Sequence, residues 1–381
     1  MPLLGPALVI ILSLASLAKS CSEQEKACLL QFVAELSHDG GLAGSWKSNT
    51  NCCRWEGITC SSDHQTVTGV FLPSRGLQGN ISPSLGNLTG LVSLNLSNNL
   101  LSGSLPTELL SSGSIVLLDV SFNKLSGDLQ DLQSSAFRPL QVLNISSNLF
   151  TGEFPSTTWE VTKSLVALNA SNNSFSGQIP ASLCVSAPFF ASLHLSYNQF
   201  SGRIPPGLSN CSMLTSLSAG NNDLTGTLPD ELFTLTLLEH LFFPNNQLEG
   251  SINGISKLKN LVALDLGGNS FSGNIPESIG KLKRLEELHL DDNSMSALVD
   301  MPMLKADKVE PKAFELPVYK SQQRQFRMPI SFSTTLNLGM NNFSGVIPEE
   351  IGCTSLELLT HSGSCPPPLR TPGRRGRTLL A

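Results

Sequence analysis

Asp119, Glu239, Asp265, Glu286, Glu287, Asp291 and Asp292, with His194, His240 and His289, are the side chains on the predicted strands and their flanks that could move protons or hold a cation. Adjacent acids such as Glu286 and Glu287 bring a glycosidase carboxylate pair to mind. Neighbours in a strand point to opposite sides, however, and nothing implies an enclosed pocket around them. No kinase Gly-rich loop with its catalytic-loop and Mg-binding motifs, no nucleophile elbow and no zinc-ligand spacing stands in the right context. The expectation is a chain with no catalytic residue, no metal and no cofactor. Its net charge of −6 also argues against a general nucleic-acid binder, whose affinity would rest on Lys and Arg meeting phosphates.

The remaining reactive residues depend on compartment. An apolar run from Ala7 to Leu17 ends in Ala18-Lys19-Ser20, small residues at −3 and −1 before Cys21, and reads as a secretory signal. Export makes the nine cysteines disulfide candidates first. Five lie early, at Cys21, Cys28, Cys52, Cys53 and Cys60, and the odd total leaves a thiol over. Cys184 and Cys211 read as small buried apolar residues rather than a bridge. Eight Asn-x-Ser/Thr sequons begin at Asn80, Asn87, Asn95, Asn144, Asn169, Asn172, Asn210 and Asn342, which suggests a glycoprotein.

What positions these residues is a repeat. Leu91-Val-Ser-Leu94-Asn-Leu96-Ser-Asn-Asn99-Leu-Leu101-Ser-Gly103-Ser-Leu105-Pro106 fits LxxLxLxxNxLxGxIP, and its Asn recurs at 123, 148, 173, 198, 222, 246, 269 and 293, each 23 to 25 residues on. Another stands at Asn341, and Val67–Pro83 keeps the apolar positions with Arg75 in place of Asn. A fixed period of this length means a solenoid. Leu94 and Leu96 should point inward from a short strand, Asn99 should satisfy buried backbone groups, and Gly103 should permit a turn. The predicted fold is an α/β-type leucine-rich-repeat solenoid: a curved right-handed superhelix with a parallel concave sheet, short 3-10 or extended convex segments, and a disulfide-stabilised N-terminal cap. The expected division is signal 1–20, cap 21–62, ten repeats 63–296, an insert 297–333, a final repeat 334–352, and an irregular Pro/Arg-rich tail 353–381.

Cys21…Cys28-Leu-Leu, Trp46, and Cys52-Cys53-Arg-Trp55-Glu-Gly57-Ile-Thr-Cys60 resemble the N-terminal cap of plant leucine-rich-repeat receptors, and Phe175-Ser-Gly-Gln-Ile-Pro180 is similarly plant-type. The resemblance implies pairing Cys21 with Cys52 and Cys53 with Cys60, with Cys28 the odd thiol. A narrower likeness follows at Phe314-Glu-Leu316-Pro317-Val-Tyr319 and Gln325-Phe-Arg327, which resemble the island of phytosulfokine and tyrosine-sulfated glycopeptide receptors. There the island folds against the concave face and helps hold a short sulfated peptide. The likeness departs at Ala297, where Gly is expected. It departs again after Gly352, where no apolar run approaches the roughly 20 residues of a membrane span.

Function by resemblance is an extracellular peptide- or protein-binding module in the apoplast, with a co-receptor kinase as a further partner and no membrane span in this chain. The alternative readings are a secreted inhibitor of a hydrolase, like polygalacturonase inhibitors, or a non-signalling truncated product. The expected ligand contacts are Phe314, Leu316, Tyr319, Lys320, Arg324 and Arg327 in the insert, and Phe122, Tyr197 and Phe242 on the sheet. The insert holds six basic against four acidic residues, the charge a sulfated ligand would seek.

Overall fold

The structure is a computed structural model that describes residues 20–129, 138–156, 162–185, 187–298, 335–342 and 357–358. The leader and nearly all of the insert therefore lie outside the described residues, as do Cys353 and Cys365.

The repeat closes into a solenoid because each coil supplies one three-residue strand whose middle leucine faces inward. These strands form a 13-stranded sheet. It begins with the antiparallel pair Ile58–Cys60 and Val67–Phe71 and continues in parallel from Ser93–Asn95. The middle residues stay in strict register, Val70 to Leu94 to Leu118 to Leu143 to Leu168. They are buried in a continuous core with the convex-side Leu, Ile and Phe residues. Full burial of one such side chain contributes about 1.5–3 kcal/mol, and no single coil could provide it alone. The convex side runs through short 3-10 turns such as Pro83–Asn87, Pro206–Asn210 and Glu277–Lys281. Two side sheets, one beginning with Leu36–His38 antiparallel to Gln78–Asn80 and the other with Ser176–Gly177, complete the coils. Gly103 holds φ 78°, and a Cβ there would meet Asn80 Oδ1 at 2.7 Å.

The repeated Asn closes each turn. Asn99 Oδ1 accepts the Arg75 and Leu77 N–H groups at 2.9 and 3.0 Å, while its Nδ2 donates to the carbonyls of Leu72, Leu96 and Ser97. Asn123 and Asn148 repeat the pattern one and two coils on. The ladder passes the insert without a gap. Leu288 pairs with Leu336, Asn341 Nδ2 reaches Leu290 O at 2.8 Å and Asn341 Oδ1 accepts from Met295 N–H. The described strands on either side of 299–334 are thus direct neighbours in the sheet. The irregularity at Ala297 also has a structural form, since the side-sheet register slips between Gly273↔Met295 and Asn274↔Ala297. The last described strand, Glu357–Leu358, pairs with Thr335–Asn337 inside the span that the sequence reads as tail.

The cap seals the first coil. Its helix Glu23–Ala34 starts in a capping box of Ser22 and Glu25. Glu25 Oε1 also accepts the Val67 N–H at 2.8 Å, tying the helix to the first long strand. Trp46 and Trp55 stack at 5.3 Å and each indole N–H has an acceptor. The bridges are Cys21–Cys52 and Cys53–Cys60, as the resemblance implied. Cys28 is a free, buried thiol, its pKa raised mainly by burial.

One cysteine reading is overturned: Cys184 and Cys211 form a third disulfide, Cα–Cα 4.9 Å. Their separation of 27 residues is longer than the 23 to 25 of the repeat, so they do not hold the same repeat position. Cys184 ends the 3-10 turn Ala181–Cys184 and Cys211 follows the 3-10 turn Pro206–Asn210, so the bridge joins neighbouring convex turns.

Candidate ligand-binding face

Two columns of side chains stand out from the concave sheet, one at the first and one at the last residue of each strand. The last-residue column runs through Asn95, Asp119, Asn144, Asn169, His194, Ser218, Phe242, Asp265, His289 and Asn337 in unbroken register. Several of these side chains build the turn that follows. Asn95 Oδ1 accepts from Ser97 N–H and Oγ at 3.0 and 2.8 Å, and Asp119 does the same with Ser121 at 3.0 and 2.7 Å. Asp265 and Asn337 accept only the backbone N–H of Gly267 and Gly339. Asp119, expected at an exposed position, is only 2% exposed, and burial raises its pKa above the usual carboxylate range despite Ser121. Beside it Leu117 and Val142, packed with Val166 and Ala167, form an apolar patch separate from the core.

The later coils turn acidic. Glu286 and Glu287 both donate N–H to Val262 O. The same paired donation recurs at the strand entry of the coils before it, so the backbone here is regular. The Glu287 carboxyl is pushed up to about 7, first by burial and then by Asp265 and Glu286. Asp265 is raised mainly by burial. His194 is pushed down to about 4 by burial and by His240, itself lowered by burial. Arg284 reaches this region from just before the strand and is held by Glu239 at 2.9 Å and Asn260 at 3.1 Å. No Lys or Arg stands within the described concave strands.

These shifts carry a pH signature. The folded-state pKa of Glu287, about 7, exceeds its ordinary 4.5. Its contribution is therefore full below the unfolded value and lost as pH rises through about 7. His194, with a folded value near 4 against 6.5, runs the opposite way, losing its contribution as pH falls through about 4. The net profile mixes both, so the test is a comparison. The Glu287→Gln variant should melt with a flatter decline between pH 4.5 and 7 than the parent; identical slopes would remove Glu287 as the titrating group.

Of the aromatics expected to meet ligand, Phe122 and Tyr197 are each 60% exposed, while Phe242 is half-buried with its ring 6.0 Å from His240. Phe122 and Tyr197 share a rim position, just after the concave strand, where φ is positive in nearly every coil. Asn98, Ser147, Asn172, Asn221, Asn245 and Asp292 occupy it elsewhere at φ 51–55°. Phe314, Leu316, Tyr319, Lys320, Arg324 and Arg327 lie outside the described residues. No described helix is long and apolar enough to cross a membrane.

A capped solenoid with an open, ligand-accessible concave face is the architecture of a binding module. Residues 22–61 match the leucine rich repeat N-terminal domain family, and seven segments between 90 and 354 match the Leucine Rich Repeat family. The chain is 37% identical to phytosulfokine receptor 1 of Arabidopsis thaliana over 29% of its own length and 11% of that protein's. Its fold matches the crystal structure of PEPR1–AtPEP1 at TM-score 0.69 and 28% identity, covering 89% of this chain and 51% of that one. A plant ice-binding protein matches at TM-score 0.64 and 25% identity, covering 74% and 91% respectively. The chain belongs to the leucine-rich-repeat proteins with a leucine rich repeat N-terminal domain, and it is similar to plant receptor-like proteins and phytosulfokine receptors. Its alignments span 7% to 36% of the curated relatives.

Proposed function

We propose that this chain is an extracellular, non-catalytic module that binds a peptide or protein ligand along its concave sheet and rim, in the apoplast and with a co-receptor kinase as partner. The observation that carries this reading is the placement of Phe122 and Tyr197. A bulky residue at φ 53° or 58° is strained, at a cost of about 1–3 kcal/mol. Most other coils avoid that cost with Asn, Asp or Gly, Met340 being a further bulky exception, and neither ring repays it by packing, since each is 60% exposed. Exposed aromatics held in strained backbone suit contact with something outside the chain.

The finer reading is a sulfated peptide, held by Lys320, Arg324 and Arg327 of the insert. Its support is negative charge elsewhere: Glu239, Glu286 and Asp291 would repel a sulfate, and Arg284 is already engaged. In sequence the insert follows the coil that carries Glu286 and Asp291.

Calorimetry of the secreted chain with a tyrosine-sulfated peptide and its unsulfated form tests both levels. Phe122→Asn with Tyr197→Asn should raise unfolding free energy by about 1–2 kcal/mol while weakening binding about tenfold or more. Unchanged affinity, or a loss of stability, refutes the rim assignment. The Lys320→Ala, Arg324→Ala, Arg327→Ala triple variant should lose preference for the sulfated form and its salt dependence. Retained preference refutes the sulfate reading and leaves the binding module standing.

A further inference from the structure

Asn95, Asn144 and Asn169 are sequons in one column of the concave face, where carbohydrate would cover the first third of the ligand-binding surface. Their geometry assigns them a different task. In all three the sequon's own serine is tied back to the asparagine. Ser97, Ser146 and Ser171 each donate both N–H and Oγ–H to the Asn Oδ1, at 2.7 to 3.2 Å. Asp119 and Ser121, one coil from Asn95 and from Asn144, make the same ring with no sequon at all. A side chain that Asp replaces without altering the contact is there to close the turn. The Asn-x-Ser spacing in this column is what such a turn requires. Asn144 is also only 8% exposed, which leaves no route for a sugar out of the folded sheet.

Asn87 and Asn210 are unlike these. Each is the last residue of a 3-10 turn on the convex side, Pro83–Asn87 and Pro206–Asn210. Each is exposed, and so is the hydroxyl residue of its sequon, Thr89 or Ser212.

We infer that N-linked carbohydrate is attached at Asn87 and Asn210 on the convex side and not at Asn95, Asn144 or Asn169, so the concave column stays bare along its length. This rests on the secretory reading but not on the identity or existence of a ligand. Glycopeptide mass spectrometry of the full chain secreted from plant cells, with glycosidase release in heavy-oxygen water, should label Asn87 and Asn210 and leave the concave three unlabelled. Label at any of the three overturns the inference. No label anywhere overturns the convex assignment and the secretory reading together, whereas label at both sets overturns only the bare column. An independent variant avoids reliance on peptide coverage. The Asn95→Asp, Asn144→Asp, Asn169→Asp triple keeps the turn contact, as Asp119 does natively, and removes three acceptors. It should be secreted with unchanged electrophoretic mobility; a downward shift of three glycan units would mean the sites were occupied.

Discussion

Replacing Asn123 by alanine is expected to cost about 3 kcal/mol or more of local stability. The side chain is 9% exposed and makes four contacts with backbone. Its Nδ2 donates to Leu96, Val120 and Ser121 carbonyls at 3.0 to 3.1 Å, and its Oδ1 accepts from Leu101 N–H at 3.0 Å. Alanine strands these groups away from water, at about 1–3 kcal/mol for each that finds no new partner. Two of the four belong to the coil before, so the loss falls on the junction between coils as well as on one turn. Asn123→Asp should be no rescue, because it keeps the acceptor, loses the donors and buries a charge. Asn98→Gly is the control, since glycine tolerates the left-handed backbone at that rim position. That side chain is exposed and donates only to Ser74 Oγ at 2.7 Å, so its loss should stay below about 1 kcal/mol. Because a repeat array can open locally, hydrogen exchange at Leu101 and neighbouring amides is the measurement of choice. Protection in Asn123→Ala equal to that in Asn98→Gly would show that the ladder does not hold the coils together.

That ladder was legible from sequence because it rests on period. A leucine every second strand position and an asparagine every 23 to 25 residues dictate the stacking before any contact is seen. The cap was legible for another reason, since its cysteines and tryptophans resemble a known arrangement closely enough to carry the pairing. Features that depend on backbone detail were not legible. The left-handed rim position containing Phe122 and Tyr197 has no signature beyond the Asn, Ser and Asp of its neighbours. The turn-closing role of the acceptor column was hidden too, because a turn acceptor and a glycosylation site both read as Asn two residues before Ser. A clue was available at Asp119-Val-Ser121, which has the turn spacing and cannot take a glycan. The raised pKa of Glu287 was equally hidden, since it comes first from burial and then from Asp265 of the neighbouring strand, neither of which the pattern of residues states.

The disulfide that the period concealed gives the second large effect. Cys184→Ser with Cys211→Ser is expected to lower stability by about 3.5 kcal/mol, the loop-closure entropy released when a bridge of this span is cut. The bridge joins two neighbouring 3-10 turns on the convex side, in the middle of the array rather than at its end. Its loss should therefore weaken the coupling between coils and not fray a terminus. Unfolding of the parent should give one transition where the double variant gives two, with coils before Cys184 separating from those after Cys211. Cys28→Ser provides the comparison. That thiol is buried and unbridged, so the variant loses only the packing of one sulfur and should keep a single transition. The premise is open to direct attack: alkylation of the native protein without reductant should leave Cys184 and Cys211 unmodified. A protein that takes up the reagent at both on denaturation alone has no such bridge, and then the coil junction there depends on leucine stacking and the asparagine ladder.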